Sequence, residues 1–442
     1  MNLGSMLAAR GEAGRPVRVG LIGAGKFGTM FLAQARRTPG MHIVGVADLR
    51  PERARASMAG VGWVAEQLDA RDHDHALSSG RTRVDDDAEA LIASGIDVLI
   101  EATGDPAAGV RHALAAIEHG RHLVMVNVEA DVLVGPLLAA RARRAGLVYS
   151  MAYGDQPALI CEMVDWARAS GFEVVCAGKG TRYRPHFHQS TPATVWEHYG
   201  ISPAEAEAGG MNPKMFNSFI DGTKSAIEMA AVANATGLEP QPRGLAFFPC
   251  GTQDLPSVLR PESQGGQLQR SGTVEVVSDL ERDGRAVFGH IRQGVYITFR
   301  AESDYVRACF AQYHVTTDPT REVAALWRPF HLIGLELGIS VASAALRGEP
   351  TGSAGRFRAD VVATAKRDLL EGEVLDGEGG ETVYGHLTPA ATSIEREGLP
   401  IGLAHGVKLR RPVAAGARLT SSDVEIDPAD PLVRLRDEML RA

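Results

Sequence analysis

Residues 16–49 read PVRVGLIGAGKFGTMFLAQARRTPGMHIVGVADL. A β-branched run, Val17 to Ile22, meets Gly23, Gly25 and Gly28, and a helical pattern follows from Lys26 to Arg37. A second apolar run, Ile43 to Ala47, ends in Asp48, 20 positions after Gly28. Each part has a physical task in a dinucleotide-binding βαβ unit. Gly23 permits the tight turn, Gly25 lets the backbone approach a pyrophosphate, and Gly28 lets the helix pack on the strand. The helix N-terminus, at Lys26 and Phe27, offers unpaired N–H groups to phosphate. A lone glycine-rich turn is weak evidence, but here both strands and the acidic residue are in register, so the stretch predicts a nicotinamide cofactor, NAD(P)H. Asp48 would accept hydrogen bonds from an unmodified ribose and repel a 2′-phosphate, favouring NAD, with Leu49 beside it. Arg50, Arg53 and Arg55 follow at once, and one of them could hold that phosphate. The preference between NAD and NADP stays open.

Outward from this unit, the chain of 442 residues is long enough for two or three domains. With 45% hydrophobic and 23% charged residues it is an ordinary globular composition. A net charge of −8 argues against a nucleic-acid partner. Cys161, Cys176, Cys250 and Cys309 are widely spaced and predict reduced core residues, not a disulfide frame or a zinc site. No apolar run reaches the roughly 20 residues of a membrane helix, and the first residues lack a signal-peptide pattern. A cytoplasmic protein without a membrane partner is the expectation.

Strands and helices alternate as far as residue 155, which predicts a doubly wound parallel sheet. The strand Ile96 to Ile100 ends in EATGDP, and ligands in such folds lie beyond strand carboxyl ends. Thr103 and Gly104 are therefore candidates for the nicotinamide half. Asn127, Glu129 and Asp155 stand at later strand ends, either as site residues or as caps of the next helix. From Gln156 the character changes. The loop after the strand FEVVCAG gathers Lys179, Arg182, Arg184, His186 and His188 within ten residues. In MNPKMFNSFIDGTKSAIEMAAVANATG (Met211 to Gly237), Lys214, Asn217, Ser218, Asp221, Lys224 and Glu228 recur at helical spacing and would share one face as a polar pocket wall. Residues 271–317 read as sheet, and Leu326 to Leu346 as an apolar helical segment in which His331 and Glu336 could face the site. In the tail, AKRDLLEGEVLD (Ala365 to Asp376) and KLRRPVAAGARLTSSDV (Lys408 to Val424) form a faint duplication, so a compact β-rich module is expected, linked through Gly352 to Gly355.

These blocks carry a resemblance that covers nearly the whole chain. The N-terminal part resembles the homoserine dehydrogenase-like Rossmann group. GKGTRYRPHFHQSTPATVWEHYG, GGMNPKMFNSFIDGTKSAIEMAAVANATGL and RPFHLIGLELGISVASAAL resemble the bacterial DXR-like family. Its members perform the 1-deoxy-D-xylulose 5-phosphate reductoisomerase reaction of isoprenoid biosynthesis without overall sequence relationship to the ordinary enzyme. The tail is similar to the SAF module, a β-clip fold. The fold class implied is α/β, with a Rossmann domain at 1–155, an α+β substrate and oligomerisation domain at 156–355, and an SAF-like β-clip module at 356–442.

The resemblance implies NADPH-dependent conversion of 1-deoxy-D-xylulose 5-phosphate to 2-C-methyl-D-erythritol 4-phosphate. That reaction needs a polarised carbonyl, a proton shuttle and a phosphate clamp. Lys179 is the first choice for the carbonyl or proton, with Asp221 and Lys224 as further catalytic candidates. Arg182, His188, Asn212, Lys214, Asn217, Ser218 and Glu228 are candidates for the substrate's phosphate and hydroxyls. Asp155, with Asp221 and Glu228, could hold a divalent cation, Mg or Mn. The closely spaced acidic metal motif of the ordinary reductoisomerase is not found, so two alternatives stand. One is a dehydrogenase of a small hydroxy acid, sugar or sugar phosphate without rearrangement. The other is a non-catalytic binding protein working through its tail. A homodimer or homotetramer is expected.

Overall fold

The computed structural model describes residues 2–441, and the chain divides into two compact units. The first takes the chain as far as Leu159, then Leu332–Gly355 and the end from Leu435. The second takes Ile160–His331 and Arg356–Arg434. No helix among the described residues is long and apolar enough to cross a membrane.

The first unit is built on six parallel strands: β1 (Val17–Ile22), β2 (Met41–Ala47), β3 (Arg83–Asp85), β4 (Val98–Glu101), β5 (His122–Met125) and β6 (Tyr149–Met151). Their order is β3-β2-β1-β4-β5-β6, the doubly wound Rossmann arrangement that the opening stretch predicts. The strands are Val, Ile and Leu runs buried on both faces, as parallel strands under helices must be. Val19 and Leu21 of β1, Val46 of β2 and Ile100 of β4 pack with Phe31 and Leu32 of the helix Lys26–Ala35. Leu337 and Val341, near and within the helix Gly338–Arg347, join the same core. The helix Ala88–Ala93 is capped by Asp87, whose carboxylate accepts the Ala90 N–H at 2.9 Å.

The second unit holds a mixed sheet of β7 (Glu173–Thr181), β8 (Glu239–Pro240), β9 (Phe248–Pro249), β10 (Thr273–Ser278), β11 (Val295–Arg300) and β12 (Val323–Arg328). Its order is β12-β11-β7-β10-β8, with β9 also on β10. β7 runs parallel to β10 and antiparallel to β11. The C-terminal part adds β13 (Ala359–Ala365), β14 (Val374–Asp376), β15 (Val383–Pro389) and β16 (His405–Lys408), paired antiparallel as β13–β15 and β14–β16.

Three local readings are corrected. The segment VRACFAQYHVTT, expected as strand, holds the helix Asp304–Gln312. Ser303 caps it by accepting the Val306 N–H, and Phe310 buries against Phe172 and Phe299. Leu326 to Leu346 is not one helix: its start belongs to β12, and a helix begins only at Gly338, well past Pro329. Met211 to Gly237 is two helices, Pro213–Ile220 and Thr223–Thr236. Gly222, at φ +88°, ends helical geometry there, and Asp221 accepts the Thr223 N–H to start the second helix.

Candidate functional site

The glycine loop of the first unit has the shape a pyrophosphate needs. Gly23 sits at φ +94°, and a Cβ there would lie 2.6 Å from the Ala102 carbonyl oxygen. A Cβ on Gly28 would strike the Gly23 carbonyl, so the helix can approach the turn only with glycine at this position. At Gly25 nothing lies within 4 Å of where a Cβ would be. Gly25 is also the N-cap of the helix Lys26–Ala35 and supplies no side-chain cap, so first-turn N–H groups at Lys26 and Phe27 face an open, uncapped end. An anionic diphosphate fits this cradle.

Asp48 stands at the end of β2, and its carboxylate accepts the Ala24 N–H at 2.8 Å and the Arg50 N–H at 2.9 Å. It therefore fixes the loop while each oxygen retains acceptor capacity for a ribose hydroxyl. Leu49 beside it is 92% exposed. Arg50 and Arg53 are exposed, whereas Arg55 donates to the Leu68 and Val84 carbonyls at 3.0 and 2.7 Å. At the end of β4 the Thr103 hydroxyl donates to buried Glu101 at 2.5 Å, and Gly104 turns at φ +74°. Asn127 has the capping role: it accepts the Ala130 N–H at 3.1 Å and donates to the Asp105 carbonyl at 2.8 Å. Glu129 lies in the first turn of the helix Val128–Arg144. Asp155 is buried and accepts the Gln156 N–H at 2.9 Å.

In the second unit, two buried lysine–carboxylate pairs stand out. Lys179, near the end of β7, meets Glu228 of the helix Thr223–Thr236 in a short ion pair whose side chains keep 8% and 6% exposure. Lys366, just past β13, pairs with Asp221 at 2.8 Å, with side chains only 2% and 0% exposed. Lys366 also donates to the carbonyls of Ser190 and Gly380 at 2.7 and 2.6 Å. Both pairs are buried, the second more completely than the first.

The polar face expected of residues 212–228 has other work. Asn212 caps the helix Pro213–Ile220, accepting the Lys214 N–H at 3.0 Å. Lys214 donates to the Asp376 carbonyl at 2.5 Å, and Asn217 donates to the Ser190 and Gly379 carbonyls at 3.0 and 2.9 Å. The Ser218 hydroxyl donates back to the Met215 carbonyl at 2.8 Å. Lys214 and Asn217 thus bind the C-terminal β module, while Lys224 follows, half-buried, in the first turn of the next helix. Arg182 lies against buried Asp279 at 3.3 Å and donates to the His198 carbonyl at 3.2 Å. His188 hydrogen-bonds the Asp221 carbonyl through Nδ1 at 2.7 Å and Tyr183 Oη through Nε2 at 3.0 Å. Burial lowers its pKa, opposed by the Asp221 carbonyl, so the ring is neutral, donating from Nδ1 and accepting the Tyr183 hydroxyl at Nε2. His331, on the apolar segment, is half-buried and bonds the Gln293 carbonyl at 2.8 Å.

Sequence reasoning passed over Lys366, because a lysine in a polar, glycine-containing stretch carries no sign of burial. It also passed over a buried cluster in the first unit. Glu101 lies 3.3 Å from His112 Nδ1, and Asp131 accepts the Tyr149 hydroxyl at 2.8 Å. Burial pushes Asp131 up to about 6, with the Tyr149 hydrogen bond opposing. Its place at the fourth position of an apolar helix, VEADVLVGPLL, was the available signal.

The carboxylates expected to hold a divalent cation do not fit that role. Asp221 and Glu228 each face a lysine ammonium, and no group of three or more His, Cys, Asp or Glu side chains among the described residues could hold a metal ion.

Two family models match the chain. Residues 17–126 match "Oxidoreductase family, NAD-binding Rossmann fold", and residues 154–337 match "Oxidoreductase DRL, catalytic domain". Among solved structures, a homoserine dehydrogenase from Thiobacillus denitrificans is similar at 12% identity and TM-score 0.43, over 91% of this chain and 97% of that one. UDP-N-acetylglucosamine 3-dehydrogenase GnnA from Acidithiobacillus ferrooxidans is similar at 16% identity and TM-score 0.38, over 77% and 94%. No curated protein matches the chain significantly. With the glycine cradle on β1 inside the first match and the Lys179–Glu228 pair inside the second, the chain is an NAD(P)-dependent oxidoreductase, similar over residues 17–126 to NAD-binding Rossmann domains and over residues 154–337 to the DRL catalytic domain.

Proposed function

We propose that the protein reduces a small phosphorylated or polyhydroxylated carbonyl compound, and that its reaction is the DXR-like one, 1-deoxy-D-xylulose 5-phosphate to 2-C-methyl-D-erythritol 4-phosphate. The observation that carries this reading is the buried Lys179–Glu228 pair inside the segment matched to the DRL catalytic domain. The bound nicotinamide supplies a hydride to the carbonyl carbon. Lys179 Nζ gives the carbonyl oxygen its proton and is reprotonated from solvent, while the ion pair with Glu228 aims it. For the cofactor, Gly23, Gly25, Gly28 and the amides of Lys26 and Phe27 take the pyrophosphate. Asp48, Leu49 and Arg50 take the adenosine end, and Thr103 and Gly104 the nicotinamide end.

A second reading, reduction without rearrangement, is favoured by one observation: both carboxylates offered for a divalent cation in this unit are committed to lysines. An SAF-like reading of the C-terminal segment draws support from its two related halves, which pair through Leu369 and Val413 by reciprocal backbone bonds of 2.8 and 3.0 Å.

The test is the purified full chain with 1-deoxy-D-xylulose 5-phosphate and NADPH, followed by absorbance and by NMR of the product. The branched tetrol phosphate is expected. NADPH oxidation with an unbranched product would replace the first reading by the second, and no turnover would overturn both for this substrate. Lys179→Met should lower turnover by a factor on the order of 10² or more. Because it leaves Glu228 buried and unpaired, Lys179→Met/Glu228→Gln is the control. A merely structural lysine predicts recovered activity in the double variant; a proton donor predicts none.

A further inference from the structure

The C-terminal segment bears a half-open cavity of about 290 Å³ that none of the chemistry above uses. Its lining includes Arg396, Arg418, Thr388, Thr392, Ser393 and Thr420. Arg396 ends the short helix Ala390–Glu395 that follows β15, and Arg418 comes from the strand-like stretch bridged to Thr364 beside β13. The two arginines therefore reach the cavity from separate elements.

Neither guanidinium forms an ion pair with a carboxylate among the described residues. Glu395 and Glu397 flank Arg396 in sequence but are not paired with it. Buried Asp360 accepts the Ser393 hydroxyl at 2.6 Å, and Asp423 accepts the Thr420 hydroxyl at 2.7 Å. The Arg418 guanidinium instead lies 3.1 Å from His386 Nε2. Burial, then the Arg418 charge, lowers His386 to about 4, so the ring is neutral and accepts this bond without neutralising any charge. Burial and the neighbouring Arg396 charge likewise draw Arg418 below the usual arginine range.

Two like charges facing one partly buried space, without a counter-ion, repel each other and lose hydration. The arrangement is relieved when an anion enters and accepts from both forks. Thr392 also lines the cavity, and its side chain carries a hydroxyl donor. The volume exceeds that of a bare ion and approaches the lower end of small-ligand pockets.

We propose that this cavity is a binding site for a tetrahedral oxyanion, a phosphoryl group clamped between Arg396 and Arg418, either as free phosphate or carried by a small organic molecule. The site stands apart from the reductase reading and does not depend on it.

The full chain is saturated with NADPH, so that the glycine cradle is occupied, and its thermal unfolding is followed against inorganic phosphate and against glycerol 3-phosphate. Potassium chloride at matched ionic strength is the reference. A saturable rise in the midpoint with either phosphate is expected, and Arg396→Ala and Arg418→Lys should each weaken it about tenfold or more. Tighter binding of glycerol 3-phosphate assigns the site to an organic phosphate, and tighter binding of inorganic phosphate to the free ion; both support the proposal. A shift no larger than that of chloride, or one equal in wild type and Arg396→Ala, would overturn it. Arg396 is exposed and holds no other side chain, so that variant tests the site even if Arg418→Lys folds poorly.

Discussion

Replacing Lys366 by methionine keeps the length of the side chain and removes its charge at the best-sealed ionic contact of the second unit. Three bonds vanish: to Asp221 at 2.8 Å, to the Ser190 carbonyl at 2.7 Å and to the Gly380 carbonyl at 2.6 Å. The carbonyls lose less than the carboxylate, since Asn217 also donates to Ser190 and Gly380, at 3.0 and 3.3 Å. Asp221 retains the Thr223 N–H on its other oxygen, but its charge is left uncompensated at 0% side-chain exposure. Removing one member of a buried pair costs about 3–5 kcal/mol. Lys366→Met should therefore lose about that much in urea unfolding at neutral pH, followed by tryptophan fluorescence and by hydrogen exchange of peptides covering 213–236 and 359–389. Lys366→Met/Asp221→Asn removes the stranded charge and should regain about 1–3 kcal/mol of the loss. A single variant within about 1 kcal/mol of wild type, or a double variant no better than the single one, would refute the account of this pair as a matched buried charge.

Two further outcomes follow from the first unit. Asp131 has an ordinary value of 3.8, raised by burial to about 6, so its proton stabilises the folded state fully below 3.8 and that contribution is lost as the pH rises through about 6. A shift of this size corresponds to roughly 3 kcal/mol; Asp131→Asn should flatten the stability–pH profile between about 4 and 6, and an unchanged slope would show that the carboxyl does not titrate as a buried acid. Gly28→Ala forces a methyl group against the Gly23 carbonyl, a clash worth about 1–3 kcal/mol. The NADPH dissociation constant, read by nucleotide fluorescence, should rise by about tenfold or more, and wild-type affinity would contradict the tight helix–turn packing.

The first unit was legible because its information is local. Gly23, Gly25, Gly28 and Asp48 lie within one βαβ stretch, and each answers to backbone space or phosphate chemistry at its own position. The second unit resisted reading where the decisive contact is distant. Spacing alone made Lys214, Asn217 and Asp221 look like a pocket wall, yet their partners are Asp376, Gly379 and Lys366, 145 or more residues further along. Glu228 has Lys179 as its partner, 49 residues away, which periodicity could not reveal. The misread helix at Asp304–Gln312 is a case of a serine cap outweighing β-branched and aromatic composition. The break at Gly222 had a visible glycine, but a glycine within a helical pattern does not by itself announce a left-handed turn.

The binding of Lys214 and Asn217 to the β module limits where this protein can be cut. The stretch matched to the catalytic domain ends at residue 337, whereas Lys366, Asp376, Gly379 and Gly380 lie beyond it. A fragment terminated at that boundary would strand the Asp221 carboxylate and the Asn217 amide on a newly bared face, so the module cannot be trimmed away as a detachable appendage. Engineering that exchanges catalytic segments among related chains must carry residues 359–389 together with the helices Pro213–Ile220 and Thr223–Thr236 as one inherited block.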